Sequence, residues 1–250
     1  MSGIMAAFGL SVSISIIALG GGFSGPGPSL LNPPTASDLW VVGKSIHSGT
    51  TMNYSLTKIG NHSSPWSSLG EHGSLINSLV SVEFVQEKGS HDTGTSINSN
   101  NWEAIMRIIN GTKTKTTTPI TSSKQGIVLL SKQQLTNAAP INQGFISYYE
   151  PIESSILEIR DIALGPEYLV VGAQWNSITV GVTTVPVKII GQEKIQTNAG
   201  TFSTYILSYK IGSKASHIWI AHDVPLPVKA EVYNAQNELQ YTYSLVFYKR

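Results

Sequence analysis

Apolar side chains recur at every second position through the carboxyl-terminal third of the chain. Ile218 and Ile220 are in step, then Val228, Ala230 and Val232, then Leu239, Tyr241, Tyr243, Leu245 and Phe247. A period of two belongs to strands that bury one face. Pro225 and Pro227 lack the N–H that a ladder needs, so pairing must break between the first two runs. The polar stretch 234–237 supplies the next turn. Upstream, residues 186–196 alternate, 197–200 turn, and 201–211 alternate again, with Tyr205, Leu207, Tyr209 and Ile211 on one face. Together these runs predict consecutive strands joined by short turns, an antiparallel meander.

The rest of the chain is less regular. Residues 40–57 are rich in Val, Ile, Thr and Tyr and predict a long first strand; 79–86 predict a second by β-branched content. Residues 102–109 fit a strand or a short helix, and their neighbours favour a strand. Residues 127–130 predict a short strand, 131–138 a helical turn capped by Ser131. Residues 156–162 and 168–171 predict strands around Gly165 and Pro166. Polar stretches at 61–78, 88–101 and 112–123 read as loops. No alternation of strands with helices and no internal repeat is visible, so the fold class expected is mainly β and antiparallel, with few short helices.

The first 37 residues carry no charged side chain, and Asp38 is the first. Within them, residues 4–23 are long enough to cross a bilayer at about 20 residues per span. They predict a hydrophobic helix over 1–23 serving as a membrane anchor or, with Ala18 and Gly20 at a cleavage position, a signal peptide. Residues 24–37 hold four prolines and two glycines and read as a linker. Residues 38–250 then form a single exported β domain on the extracytoplasmic side of the cell membrane, or secreted if the leader is removed.

Composition narrows the chemistry. Charged residues make up 12%, and 16 basic against 15 acidic side chains leave a net charge of +1, so no electrostatic footprint for nucleic acid exists. The absence of cysteine excludes disulfides, thiolate nucleophiles and lipid attachment through a lipobox. The spacing Gly20, Gly22, Gly25 matches a dinucleotide fingerprint, but Pro26 and Pro28 prevent the helix that would face a phosphate. Ser55 and Lys58 match a serine–lysine motif that works only on one helical turn, whereas in a strand they point to opposite faces.

The six histidines show no spacing that puts two imidazoles on one face, and no metal or cofactor site is expected. His222 beside Asp223 suits a strand-end turn better than a catalytic pair. Glu150 and Glu153 flank Pro151 and read as a solvated loop rather than a glycosidase pair. Lys229 and Glu231 read as an exposed ion pair. The chain is therefore expected not to be an enzyme.

Two further patterns remain. The acceptor triplet for N-glycosylation occurs at Asn53, Asn61 and Asn110. Tyr205 and Tyr209 stand on one apolar face, Tyr241 and Tyr243 on another, with Trp219 in a neighbouring segment. Such rings either build an ordinary core or line a cavity for an apolar small molecule.

The stretch GQEKIQTNAGTFSTYILSY from Gly191, followed by HIWIAHDVPLPVKAEVYN from His217, resembles a family of exported bacterial and archaeal proteins with no assigned function. Its members look like half-barrel lipoprotein carriers of the LolA and LolB kind. The resemblance covers the last quarter of the chain and implies a strongly curved antiparallel sheet, wrapped round helices or a hydrophobic cavity. It carries over no catalytic residue. The function expected is a non-catalytic, membrane-anchored β domain that binds an apolar ligand or an envelope partner, with Tyr205, Tyr209, Trp219, Tyr241 and Tyr243 lining the concave face. A structural surface or adhesion module is the first alternative; a hydrolase with a divergent site is the second.

Overall fold

The computed structural model describes residues 35, 38, 40, 43–58, 75, 78–86, 100–110, 123–157, 168–180 and 183–250. Among these residues, ten strands form one antiparallel sheet. They are β1 Thr50–Lys58, β2 Ser78–Gln86, β3 Asn101–Asn110, β4 Ser123–Ser131, β5 Gln174–Val180, β6 Thr183–Thr197, β7 Gly200–Tyr209, β8 Ser216–Ile220, β9 Lys229–Tyr233 and β10 Leu239–Lys249. Their spatial order is β4-β3-β2-β1-β10-β9-β8-β7-β6-β5. Two meanders are thus joined by the pairing of β1 with β10, and β4 and β5 are the edges.

The chain leaves at one edge and re-enters at the other, so the link must traverse the sheet. It does so through helix α1, Gln143–Ile152, and a π-helical turn, Glu153–Leu157. Phe145, at the start of α1, sits on Gly126 of β4: a Cβ added there would lie 2.2 Å from the ring. Ser155, beyond its end, accepts the hydroxyl of Tyr243 on β10 at 3.2 Å. The helix therefore runs from the edge to the middle of the sheet.

Local chemistry explains why these residues are helical. Asn142 caps the start, its Oδ1 accepting the Gly144 N–H at 2.9 Å. Phe145, Tyr148, Tyr149 and Ile152 follow helical spacing and are all buried. Pro151 removes one N–H from the ladder, and the chain widens into the π turn directly after it. The Ser154 and Ser155 hydroxyls then donate to the carbonyls of Glu150 and Pro151 at 2.8 and 2.7 Å.

The sheet is curved. In a flat sheet β6 and β10 would be four spacings apart, about 19 Å. Instead, Cα atoms of the two strands come within 8 Å. One face carries a continuous core that includes Met52, Tyr54, Val80, Ala104, Val187, Leu207, Ile218, Ala230, Tyr243 and Leu245, packed with the buried side of α1.

Several expectations hold. The meander from β6 to β10 is present, with turns at 197–200 and 234–237, and β2, β3 and β4 contain the predicted stretches. Others are corrected. The first strand begins at Thr50, not at residue 40, because turns occupy 43–45 and 48–49. Ile156 and Leu157 are in the π turn rather than a strand. Tyr168 makes an isolated bridge, and residues 169–173 are not strand because Val171 and Gly172 turn, with Gly172 at φ 95°. The hydrophobic helix expected over 1–23 and most of the 24–37 linker lie outside the described residues.

Alternation along β10 also breaks at both ends. Irregularities fall between Leu239 and Tyr241 against β9, and at Asn53/Tyr54 against β1, where Tyr54 faces Leu245 but Asn53 faces Phe247. Each irregularity shifts the parity by one. Leu239 and Phe247 thereby leave the core face that Tyr241, Tyr243 and Leu245 occupy.

One loop junction yields a direct test. Asn237 has φ 65°, and its Oδ1 accepts the N–H groups of Ser213 and Lys214 at 2.6 and 2.8 Å and the Ser213 hydroxyl at 2.9 Å. Asn237→Ala loses all three bonds and places an alanine in the left-handed region. A cost of about 1–2 kcal/mol in urea denaturation is expected, and Asn237→Asp should retain most of the stability.

Candidate functional site

The concave face brings together most of the rings that sequence reading placed there. Tyr209 on β7 and Tyr241 and Tyr243 on β10 belong to the buried core, and Tyr205 is half-buried against it. Tyr241 and Tyr243 stack with centroids 6.0 Å apart. Tyr54, not singled out from the sequence, completes the group: its ring meets Tyr243 edge-on at 5.4 Å, and its hydroxyl reaches the Met52 sulfur at 3.8 Å. Burial pushes the Tyr54 and Tyr243 hydroxyls well above the ordinary tyrosine range, with neighbouring tyrosines adding to the shift. Both rings are at most 1% exposed and share one buried cluster with Tyr149 and Ile152 of α1, and the π turn meets Tyr243 through the Ser155 carbonyl.

Trp219 is the exception. Ile218 and Ile220 face the core, so Trp219 between them stands on the opposite face. The same parity is present in the sequence and is the signal that could have placed it on that face instead of the concave one. There its Nε1–H donates to Glu193 at 2.9 Å, Lys229 lies 4.4 Å over the ring, and His217 meets it at 5.8 Å. The indole is only 7% exposed, so it is a packed outer-face element rather than a concave lining residue. The ion pair expected between Lys229 and Glu231 is replaced: Lys229 covers Trp219, and Glu231 accepts the Tyr233 hydroxyl. That bond holds the Tyr233 hydroxyl above its ordinary range.

The acceptor asparagines are dispersed. Asn53 is inside β1, paired on both sides, with its Oδ1 buried and without a hydrogen-bond partner among the described residues. Asn110 is the last residue of β3, and Asn61 lies outside the described residues. His222 is in the exposed turn after β8; hydrogen bonds from Thr35, with a smaller contribution from His222, hold Asp38 below the usual carboxylate range. Glu150 and Glu153 lie at the end of α1 and the start of the π turn, not in a loop. Ser55 and Lys58 are both in β1, which denies them a shared helical turn. Among the described residues no group of three His, Asp or Glu is placed to hold a metal ion.

Residues 169–245 match the DUF3108-like family model, which covers β5 to most of β10. No curated protein matches the chain. Among solved structures, the chain is similar to a candidate exported protein with a YmcC-like fold from Bacteroides fragilis, at 11% identity over 85% of this chain and 99% of that one, with a TM-score of 0.29. It is similar to a chain of the Pseudomonas aeruginosa MucA/MucB complex at 9% identity, over 83% of this chain and 54% of that one, with a TM-score of 0.41. A candidate lipoprotein from Parabacteroides distasonis is similar at 13% identity over 84% and 99% of the two chains, with a TM-score of 0.33.

Proposed function

We propose that this chain is a non-catalytic, extracytoplasmic module that is held at the membrane by residues 1–23 and acts by binding an envelope protein. One observation carries the choice of a protein over a small molecule. The concave aromatic face is occupied by the chain's own helix, with the Tyr243 hydroxyl on the Ser155 carbonyl. The surfaces left for recognition are the sheet edges and the outer face. Export and anchoring rest on the uncharged first 37 residues.

A second reading keeps the apolar ligand. Its support is Tyr205, which is half-buried on the core side of β7 and not fully enclosed as Tyr243 is. Both readings are tested on the full chain. Cross-linking in intact cells should give a discrete adduct that re-forms from the two purified proteins. The delipidated chain should show no saturable binding of a fluorescent fatty acid. Saturable binding that is lost on Tyr205→Ala would instead favour the ligand.

A further inference from the structure

Of the exposed large apolar side chains among the described residues, Ile127 and Ile146 flank one sheet edge, at 54% and 37% exposure. That edge is β4. The Leu129 carbonyl accepts the Ala138 N–H at 2.7 Å, and the Ser131 N–H donates to Thr136 at 2.8 Å. Odd-numbered residues of β4 therefore aim their backbone groups away from β3. By alternation Gln125 and Ile127 do the same, and no described backbone group pairs with theirs.

Both faces of this edge offer apolar contact. On the outer face Ile127 pairs across with Ile105, and Leu129 is half-buried next along the strand. On the core face Phe145 covers Gly126, and Ile146 is the next residue of α1. The one charged side chain on β4 is basic. Lys124 is exposed, and Lys132 stands 4.8 Å over the Trp102 ring. Arg107 is already neutralised by Glu83 at 2.8 Å. The edge of β6 beyond β5 differs, carrying exposed Gln192, Lys194 and Gln196, the polar pattern that discourages strand addition.

We infer that the β4 edge around Gln125 and Ile127 takes up an extended segment of a partner protein. Its main-chain groups complete the ladder, two adjacent apolar side chains meet Ile127 on one face and Ile146 on the other, and an acidic neighbour meets Lys124. The inference rests on the partner-binding reading above and names its surface.

A displayed library of random octapeptides, selected on the full chain, tests it. The selected peptides should share an adjacent apolar pair beside Asp or Glu. Ile127→Pro removes an outward N–H without touching the ladder to β3 and should weaken a selected peptide about tenfold, the worth of one good hydrogen bond. Gln125→Pro is the second variant should Ile127→Pro lower the melting temperature, and Ile190→Lys, at an exposed apolar site elsewhere, should leave binding unchanged. Selected peptides indifferent to both prolines overturn the docking edge but leave partner binding standing. An empty selection also overturns the edge, whereas the cross-linking experiment alone decides the partner reading.

Discussion

Gly126→Val should destabilise the domain by about 3 kcal/mol, at the upper end of what overpacking a core costs. The cause is the seat of α1. A Cβ at residue 126 would lie 2.2 Å from two atoms of the Phe145 ring, nearer than any side chain can approach. Phe145 is stacked against Tyr148 at 5.9 Å, so the ring cannot swing aside without disturbing the buried stripe of the helix. Phe145→Ala alone should cost about 3–5 kcal/mol, as large-to-small core changes do. The diagnostic measurement is a double-mutant cycle in urea. In the Phe145→Ala background, Gly126→Val should cost almost nothing, because the atoms it would strike are gone. Additivity within about 0.5 kcal/mol would mean that the helix is not seated on that glycine.

The second large effect is alkaline unfolding. Tyr54 and Tyr243 are buried as neutral phenols, and their hydroxyls titrate in the folded state far above the unfolded value of about 10. Below pH 10 both states keep the proton and the full stability is present. As pH rises past 10 the unfolded chain releases protons that the folded chain retains. Stability is then lost steadily towards the raised folded values. Cooperative unfolding between about pH 10 and 12 is expected, followed by circular dichroism. Tyr54→Phe should move that transition to higher pH, since it removes one of the two groups. At neutral pH it should change stability by less than about 1 kcal/mol, because the hydroxyl's hydrogen bond among the described residues is a weak one to the Met52 sulfur at 3.8 Å. A transition unmoved by Tyr54→Phe would show that the buried phenols do not control it.

Where the pattern was local, it was readable. The meander from β6 to β10 follows from period-two runs and from turn residues that need no distant partner. The spacing of Phe145, Tyr148, Tyr149 and Ile152 was equally present, but Gly144 and Pro151 inside the stretch hid the helix. Pro151 falls in the last turn, where its missing N–H breaks a single ladder bond, and the Ser154 and Ser155 hydroxyls satisfy the carbonyls of Glu150 and Pro151 where the helix widens. Parity alone would have sent Trp219 to the outer face, since Ile218 and Ile220 claim the core.

Alternation along a strand determines which neighbours share a side, and for this chain that was enough to place Tyr209, Tyr241 and Tyr243 together in the core. It could not say that β10 would carry an extra residue against each neighbour, and those irregularities at its ends send Leu239 and Phe247 out of that face. Nor could it say that β1 would pair with β10, or that a helix from between the two meanders would fill the concave side. Those outcomes depend on contacts between residues far apart in the chain, such as Tyr243 with Ser155 and Phe145 with Gly126. Only closure of the whole sheet decides them, because the shape of each surface exists only after the other has folded against it.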